Sequence, residues 1–278
     1  MIDKILRSRI LTVLAALIGI LIIFYPNISD AWNTRRAQML MTSYEENIGK
    51  IDDSKKKEAL QAAYDYNKTL IGKGVPDVFI KEEREPDPAY EALLNPNGDG
   101  LMGSVEIPCI RVKIPIWHYT DEETLQKGAG HLPGSSIPVG GEGSHSVITA
   151  HRGLQDKRLF TDLDRLKKGN LFYLRIMNET LAYEVDQILV VEPTETEALS
   201  VEEDKDYCTL LTCTPYAVNT QRLLVRGHRV PYTEENYQAE SASIAPPSAS
   251  SVVIRLFCVL IGFALALLAD LGYRKLRR

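Results

Sequence analysis

The middle of the chain, residues 102–232, is a series of short apolar runs rich in β-branched residues and separated by Gly, Pro and Asn. The runs are VEIPCIRVKIPIW, SHSVITAH, LFYLRI, LAYEVDQILVVEP, YCTLLTC and RLLVRGHRV. Segments of this length and composition, bounded by turn residues, are typical of β-strands. The pattern therefore predicts a mostly antiparallel barrel or sandwich of about eight strands.

Two apolar runs lie outside this region, and both have basic neighbours. ILTVLAALIGILIIFY, residues 10–25, follows three basic residues, which indicates that residues 1–31 are an export signal or a membrane anchor. Whether this segment is cleaved stays open. A second run near the C-terminus predicts a transmembrane helix over 252–273, because a basic tail at 274–278 follows it and should remain cytoplasmic. Both ends place the intervening chain on the extracellular face; a buried helix of the soluble domain is the weaker alternative for the second run.

Four segments divide the rest of the chain. Residues 32–74 have apolar positions at helical spacing with a break near Asp52, which predicts two N-terminal amphipathic helices. Residues 75–94 are rich in proline and charge and are expected to form a loop or lid. The β-domain then spans 95–237, and a Pro/Ser/Ala-rich linker follows over 238–251.

Charge and cysteine spacing exclude two kinds of ligand. The net charge of −5 and pI near 5.7 give no basic surface for a nucleic acid. The four cysteines form no C-x-x-C pair, and no His/Cys cluster has the spacing of a zinc site. Asn95, Asn97, Asp99, Gly100 and Glu106 match positions of a calcium loop, but a strand follows instead of a helix, so a turn held by side-chain hydrogen bonds is the preferred interpretation and no metal is predicted.

Three residues at strand ends suggest nucleophilic chemistry. Cys213 ends the run TLLTC and precedes a turn, and His151 ends the run SVITAH. Arg222 follows Cys213 by nine residues, so a β-hairpin would return it beside the cysteine. Imidazole and guanidinium groups are those that activate a thiol and stabilise an oxyanion. Spacing alone leaves open the alternative that Cys213 is a small hydrophobic residue of the core.

These motifs resemble those of a known family. TLLTC with Arg222 downstream, LLVRGHRVPY and GHLPGSSIPVGGEGSHSVITAHRG are similar to the sortases of Gram-positive bacteria, and specifically to the class C, pilus-assembling sortases, from about residue 32 to the C-terminus. The resemblance implies an eight-stranded sortase β-barrel that needs no cofactor. It also implies Cys213 as nucleophile, His151 as general acid and base, and Arg222 as the residue that positions substrate or stabilises the oxyanion.

The resemblance also implies a function. The expected activity is that of a membrane-anchored transpeptidase that cleaves an LPxTG-like sorting signal between Thr and Gly and joins pilin subunits through lysine isopeptide bonds. The expected partners are those pilin subunits and the membrane. The alternatives are another enzyme, either a housekeeping sortase that attaches surface proteins to peptidoglycan or a cysteine protease in which water resolves the thioester, and a non-catalytic membrane-tethered β-domain. The sequence does not specify the sorting motif, the pilin or the oligomeric state.

Class C sortases commonly carry a lid with an Asp-Pro-aromatic motif, and two segments here partly match it. Pro76-Asp77-Val78-Phe79 has the acid and the aromatic ring at the right spacing without the intervening proline, whereas Asp87-Pro88-Ala89-Tyr90 has Asp-Pro but alanine in place of the ring. Their positions favour the first, so Asp77 and Phe79 are the predicted lid residues. The aspartate would pair with Arg222 and the ring would cover the thiol.

Overall fold

The structure is a computed structural model that describes residues 2–72, 86–154, 156–242 and Gly262. The chain divides into two compact units, Met1–Asp30 with Ala245–Arg278, and Ala31–Ile244. The predicted lid residues Asp77 and Phe79 lie outside the described residues, as does the predicted C-terminal helix apart from Gly262.

Two long helices precede the β-domain. Helix α1 spans Ile2–Lys50 and helix α2 spans Asp53–Lys68. The break occurs near Asp52, as the sequence predicts, because the Asp52 side chain accepts a hydrogen bond from the backbone N–H of Ser54 and caps α2. In the part of the chain described above, no helix is both long enough and apolar enough to span a membrane.

Both helices dock on the β-domain through polar side chains. The Tyr44 hydroxyl of α1 donates a hydrogen bond to the Met102 carbonyl at 2.7 Å. On α2, the Asn67 side chain donates to the Ile137 carbonyl at 3.0 Å and accepts from the Ile137 N–H at 2.7 Å. These buried bonds satisfy backbone groups of the β-domain, so the N-terminal helices are part of its structure.

Eight strands close into a barrel in the order β1-β2-β3-β4-β7-β8-β6-β5. They are β1 Leu101–Ile107, β2 Val112–His118, β3 Ala129–His131, β4 Ser144–Thr149, β5 Leu171–Ile176, β6 Glu179–Val191, β7 Asp206–Thr214 and β8 Gln221–Val230. The β2–β3 and β4–β7 pairs are parallel, and the others are antiparallel. The prediction of an eight-stranded, mostly β fold with N-terminal helices is therefore confirmed.

The two faces of the barrel wall carry different apolar clusters. The main core consists of inward-facing side chains that are fully buried, among them Ile116, Ile148, Phe172, Leu210 and Val225. Because strand side chains alternate, the neighbouring residues on the same strands point outward. Val147, Leu211 and Leu224 are such residues, and with Leu132 and Leu199 from the connections after β3 and β6 they form a second, smaller cluster, here called the outer cluster.

The segment that contains Asp87-Pro88-Ala89-Tyr90 anchors the chain ahead of β1. Asp87 caps the short helix α3, Pro88–Glu91, and the Tyr90 side chain is 1% exposed. The Tyr90 hydroxyl is 2.8 Å from Nδ1 of His131, itself fully buried. Burial lowers the pKa of His131 to about 3, so this histidine is a neutral hydrogen-bonding residue of the core.

The residues that match a calcium loop form a turn. The Asn95 carboxamide oxygen accepts from the Gly100 N–H at 2.9 Å, and an Asp99 carboxylate oxygen accepts from the Leu101 N–H at 3.0 Å. Glu106 lies on β1, where Nε of Arg175 donates to its carboxylate at 3.1 Å. Within the described ranges, no cluster of three His, Cys, Asp or Glu residues is arranged to hold a metal ion.

Candidate active site

Strands β7 and β8 bring Cys213 and Arg222 together. The two strands form an antiparallel hairpin, and its register places Cys213 directly opposite Arg222. Directly opposed residues in an antiparallel pair project to the same face. The hairpin therefore places the Arg222 guanidinium beside the Cys213 thiol, as the nine-residue spacing predicts.

Strand β4 brings His151 to the same place from the other side of β7. Strands β4 and β7 are parallel, with Thr149 level with Leu211. The pairing continues past the end of β4, since the Ala150 N–H donates to the Leu211 carbonyl at 3.2 Å. Extending this register by two residues puts His151 level with Cys213 and on the same face. The predicted site residues therefore come from three adjacent strands.

The surroundings of Cys213 favour a neutral thiol. The side chain is half-buried, and burial raises the pKa of the Cys213 thiol, while the Arg222 guanidinium opposes this rise. Arg222 is 8% exposed, and its Nη1 donates to the carbonyls of Asn219 at 3.4 Å and Gln221 at 3.2 Å. These turn carbonyls hold the guanidinium in position. Because burial favours the neutral thiol of Cys213, a base is needed to form the thiolate.

An acidic residue that the sequence does not single out contacts His151. Helix α4 spans Glu122–Lys127, and a carboxylate oxygen of Glu122 lies 3.3 Å from Nε2 of His151. Gln126 donates to the same oxygen at 2.8 Å. The Asp121 cap predicts a helix here, but no local signal in the sequence places that helix beside residue 151.

Buried leucines support the strands beside the thiol. Leu211 and Leu224 of the outer cluster precede and follow the Cys213/Arg222 pair by two residues on the same face, and Leu199 packs over them from the β6–β7 connection. All three are at most 3% exposed, so they are packed side chains and not an open surface. The exposed apolar side chains near Cys213 are those of Tyr216 and Val218 on the β7–β8 turn, with exposed fractions of 55% and 63%.

Comparison with known proteins identifies the family. Residues 105–230 match the family profile described as the sortase domain. The solved sortase C of Streptococcus pneumoniae is 43% identical, with a TM-score of 0.66 over 70% of this chain and 98% of that chain. The chain belongs to the sortase family. The solved sortase C1 of Streptococcus agalactiae is 44% identical, with a TM-score of 0.64 over 70% of this chain and 96% of that one.

Curated sortases of other classes are more distant. A sortase A of Streptococcus agalactiae is 25% identical over 224 residues, which cover 78% of this chain and 82% of that protein. A sortase D of Bacillus subtilis is 28% identical over 143 residues, which cover 50% of this chain and 69% of that protein. The identities to class C structures are higher, and the prediction of a class C sortase is confirmed.

Family membership establishes the type of protein. Sortases are cysteine transpeptidases that act on sorting-signal substrates, so this chain is an enzyme. The alternative of a non-catalytic β-domain is therefore set aside. The individual roles of Cys213, His151 and Arg222 in this sortase remain predictions, as do those of Asp77 and Phe79.

Proposed function

We propose that this sortase joins pilin subunits, with Cys213 as nucleophile, His151 as proton carrier and Arg222 as oxyanion donor. The observation that carries the proposal is the strand register, which sets Cys213 opposite Arg222 and level with His151. The choice of pilin as substrate rests on the class C neighbours, since the sortase C of Streptococcus pneumoniae is described in terms of pilin substrate specificity.

The first half of the reaction acylates the enzyme. His151 takes the proton from Cys213, and the sulfur attacks the carbonyl carbon between Thr and Gly of an LPxTG-like signal. Arg222 stabilises the negative charge that develops on the carbonyl oxygen. The C–N bond breaks, His151 returns its proton to the leaving glycine amine, and a thioacyl enzyme remains.

The second half transfers the acyl group. The neutral ε-amine of a lysine on the next pilin attacks the thioester carbon, and His151 accepts a proton from the attacking nitrogen. The C–S bond breaks, the sulfur is protonated, and an isopeptide bond joins the two subunits. No external energy source or cofactor enters, because the energy of the cleaved peptide bond is retained in the thioester.

Exposed apolar side chains near the thiol suit the apolar part of such a signal. Tyr216 and Val218 lie on the β7–β8 turn that follows Cys213, and both are exposed. Contact of these side chains with the leucine and proline of an LPxTG-like peptide would contribute binding energy in proportion to the apolar area covered.

We also propose where the enzyme is located and how access to its active site is controlled. Sortases are typically membrane-associated surface enzymes, and the apolar runs at residues 10–25 and 256–269 with their basic flanks support anchoring at one or both ends. The domain would then face outward. We further propose that Asp77 and Phe79 form a lid in which the aspartate pairs with Arg222 and the ring covers Cys213.

A trapped intermediate tests the function. Incubation with an LPxTG-type peptide should give an adduct on Cys213 with the mass of the peptide acyl portion up to threonine, identified by peptide-resolved mass spectrometry. Cys109 is the matched control, because it is also half-buried and burial raises its pKa to about 11. Absence of any adduct on Cys213, with folded enzyme and several peptides, would contradict the proposed chemistry.

The product separates this function from that of a housekeeping sortase. Supplied with a pilin that bears the signal and with a second pilin, the enzyme should form a pilin–pilin adduct linked through lysine. A preference for peptidoglycan-type amines over the pilin lysine would support the housekeeping alternative instead.

A further inference from the structure

We propose that Arg152 is a positioning residue that connects the strand end carrying His151 to the strand end carrying Cys213. The inference rests on the proposed function, because it concerns the geometry of that histidine and that thiol. Arg152 follows His151 in the chain, and its partner Thr214 follows Cys213.

Arg152 makes two directed bonds from one guanidinium. Its Nη1 donates to the Thr214 hydroxyl at 3.0 Å, and its Nη2 lies 2.5 Å from a carboxylate oxygen of Asp164. Asp164 belongs to the short 3-10 helix Leu163–Arg165, in the connection that follows His151. The Arg152 side chain is 7% exposed, so its charge is withdrawn from solvent and neutralised by the protein itself. This argues against a direct role in holding substrate.

The bond to Thr214 lies where the regular strand pairing has ended. Strand β4 ends at Thr149, and among the described residues that follow it the Ala150 N–H is the last group that bonds to the β7 backbone. The Thr212 hydroxyl donates to the Ala150 carbonyl at 2.8 Å, one residue before His151. Beyond that point the spacing between the two strand ends depends on side-chain contacts. The bond from Arg152 to Thr214 is such a contact, and it lies one residue beyond His151 and Cys213 on each segment.

The residues around Arg152 pack closely. Cζ of Arg152 lies 6.0 Å from the Tyr216 ring centre, and a Cβ placed on Gly153 would approach that ring to 2.9 Å. Gly153 has a φ of +83° and its N–H donates to the Thr161 hydroxyl at 3.1 Å. The positive φ favours glycine here, and the short approach shows that the segment after His151 lies directly against the β7–β8 turn.

The chemistry of arginine suits this task. The planar guanidinium offers two N–H groups in a fixed fork, which can bond a hydroxyl and a carboxylate at the same time. A lysine ammonium is a point charge on a flexible stem and does not hold the two acceptors in one plane. Since a misplacement of about 1 Å between reacting groups costs on the order of 10²-fold in rate, loss of this connection should slow the chemical step.

Paired variants test the role. Arg152→Gln should lower the rate constant for acylation by an LPxTG-type peptide by about 10- to 100-fold, with little change in KM. Thr214→Val removes only the hydroxyl and should cost about tenfold, whereas Thr214→Ser keeps it and should stay within about twofold of wild type. Arg165→Gln is the matched control, because Arg165 pairs with the carboxylate of Asp162 on the same connection and remains exposed.

Two measurements distinguish positioning from a loss of folding. Thermal melting and urea denaturation give the folded fraction, so each rate is expressed per folded enzyme. The iodoacetamide alkylation rate of Cys213, resolved from the other cysteines by mass spectrometry, should move in Arg152→Gln toward the value of His151→Ala, because both changes separate the imidazole from the thiol.

The outcomes separate this proposal from the proposed function. If wild type forms no thioacyl adduct, the proposed function fails, and the alkylation rates still decide whether Arg152 affects the His151–Cys213 pair. The positioning role is overturned if Arg152→Gln keeps an acylation rate per folded enzyme within about twofold of wild type. Equal losses in Thr214→Val and Thr214→Ser would also overturn it.

Discussion

Strand β7 carries Cys208 and Cys213, which are five residues apart and therefore point to opposite faces of the barrel wall. Cys208 is fully buried opposite Gly227, and burial raises its pKa well above the usual range. Cys213 lies near the strand end, half-buried, opposite the Arg222 guanidinium. The same residue type on one strand is thus a core side chain at one position and a nucleophile candidate at the other.

Strand β4 shows the same contrast with histidine. His145 and His151 lie on one face, six residues apart. His145 is fully buried, with Nε2 2.7 Å from the Thr209 hydroxyl and Nδ1 2.9 Å from the Ser200 carbonyl, and burial lowers its pKa to about 4. His151 lies beyond the end of the strand. Position at the ends of two neighbouring strands, and not residue type, thus distinguishes the candidate catalytic residues from the core residues.

The two cysteines give the largest predicted contrast. Cys213→Ala should lower acylation by at least about 10³-fold without loss of stability, because it removes the attacking atom. Cys208→Ala should keep acylation per folded enzyme near wild type and lower the free energy of unfolding by about 1–2 kcal/mol, as expected for truncation of a buried side chain. Peptide cleavage and urea denaturation measure the two effects. A comparable loss of activity per folded enzyme in both variants would contradict the assignment of Cys213 as nucleophile and Cys208 as a core side chain.

Two arginines on β8 give a second comparison between a position at the candidate site and one outside it. Arg222→Gln should reduce acylation by about 10²-fold, because it removes the guanidinium opposite the thiol. It should also shift the alkylation profile of Cys213 to higher pH, since Arg222 opposes the burial that raises the pKa of this thiol. Arg226→Gln is the control, because Arg226 pairs with Asp186 on the neighbouring strand at 2.9 Å. An unchanged alkylation profile in Arg222→Gln would argue against electrostatic contact with the thiol.

The buried histidines predict loss of stability in acid. Below pH 6.5 the unfolded chain takes up a proton on His131 and on His145 that the folded protein does not, because burial lowers their pKa values to about 3 and about 4. Each should therefore lower the free energy of unfolding by up to about 1.4 kcal/mol per pH unit as the pH falls below this point, and neither contributes a pH dependence well above it. Asp206 acts in the opposite sense, because burial raises its pKa above the ordinary 3.8 and the folded protein then holds a proton that the unfolded chain has released.

Urea denaturation between neutral pH and pH 5 measures this effect. His145→Gln should flatten the pH dependence relative to wild type, because it removes one of the two titrating groups. A free energy of unfolding that is independent of pH over this range in wild type would show that the two imidazoles are not held neutral.

The smallest predicted effect concerns Glu122. Its side chain is 73% exposed, so solvent screens its interaction with His151, and Glu122→Gln should reduce acylation by only about three- to tenfold. Glu123→Gln on the same helix is the matched control, because Glu123 pairs with Lys127 at 2.7 Å and not with the histidine. Steady-state peptide cleavage measures both, and an equal effect of the two changes would indicate a general charge effect.

Much of this arrangement could be predicted from the sequence, for physical reasons. Runs rich in β-branched residues identify strands, and the end of a strand identifies side chains free to enter a cleft, which selects Cys213 and His151. The short hairpin between β7 and β8 makes the proximity of Arg222 a local property. Glu122 and the bond from Arg152 to Thr214 could not be predicted, because both depend on which strands become neighbours when the barrel closes.

The parallel pairing of β4 with β7 makes the candidate site depend on contacts between segments that are distant in the chain. His151 and Thr212 belong to segments about sixty residues apart in sequence, joined by the Thr212–Ala150 bond and its neighbours. Closing a loop of this length costs conformational entropy, and no local contact brings the two segments together. The candidate thiol and imidazole are therefore neighbours only in the folded barrel: a chain that loses the β4–β7 pairing separates His151 from Cys213 even where the β7–β8 hairpin keeps Arg222 opposite the thiol.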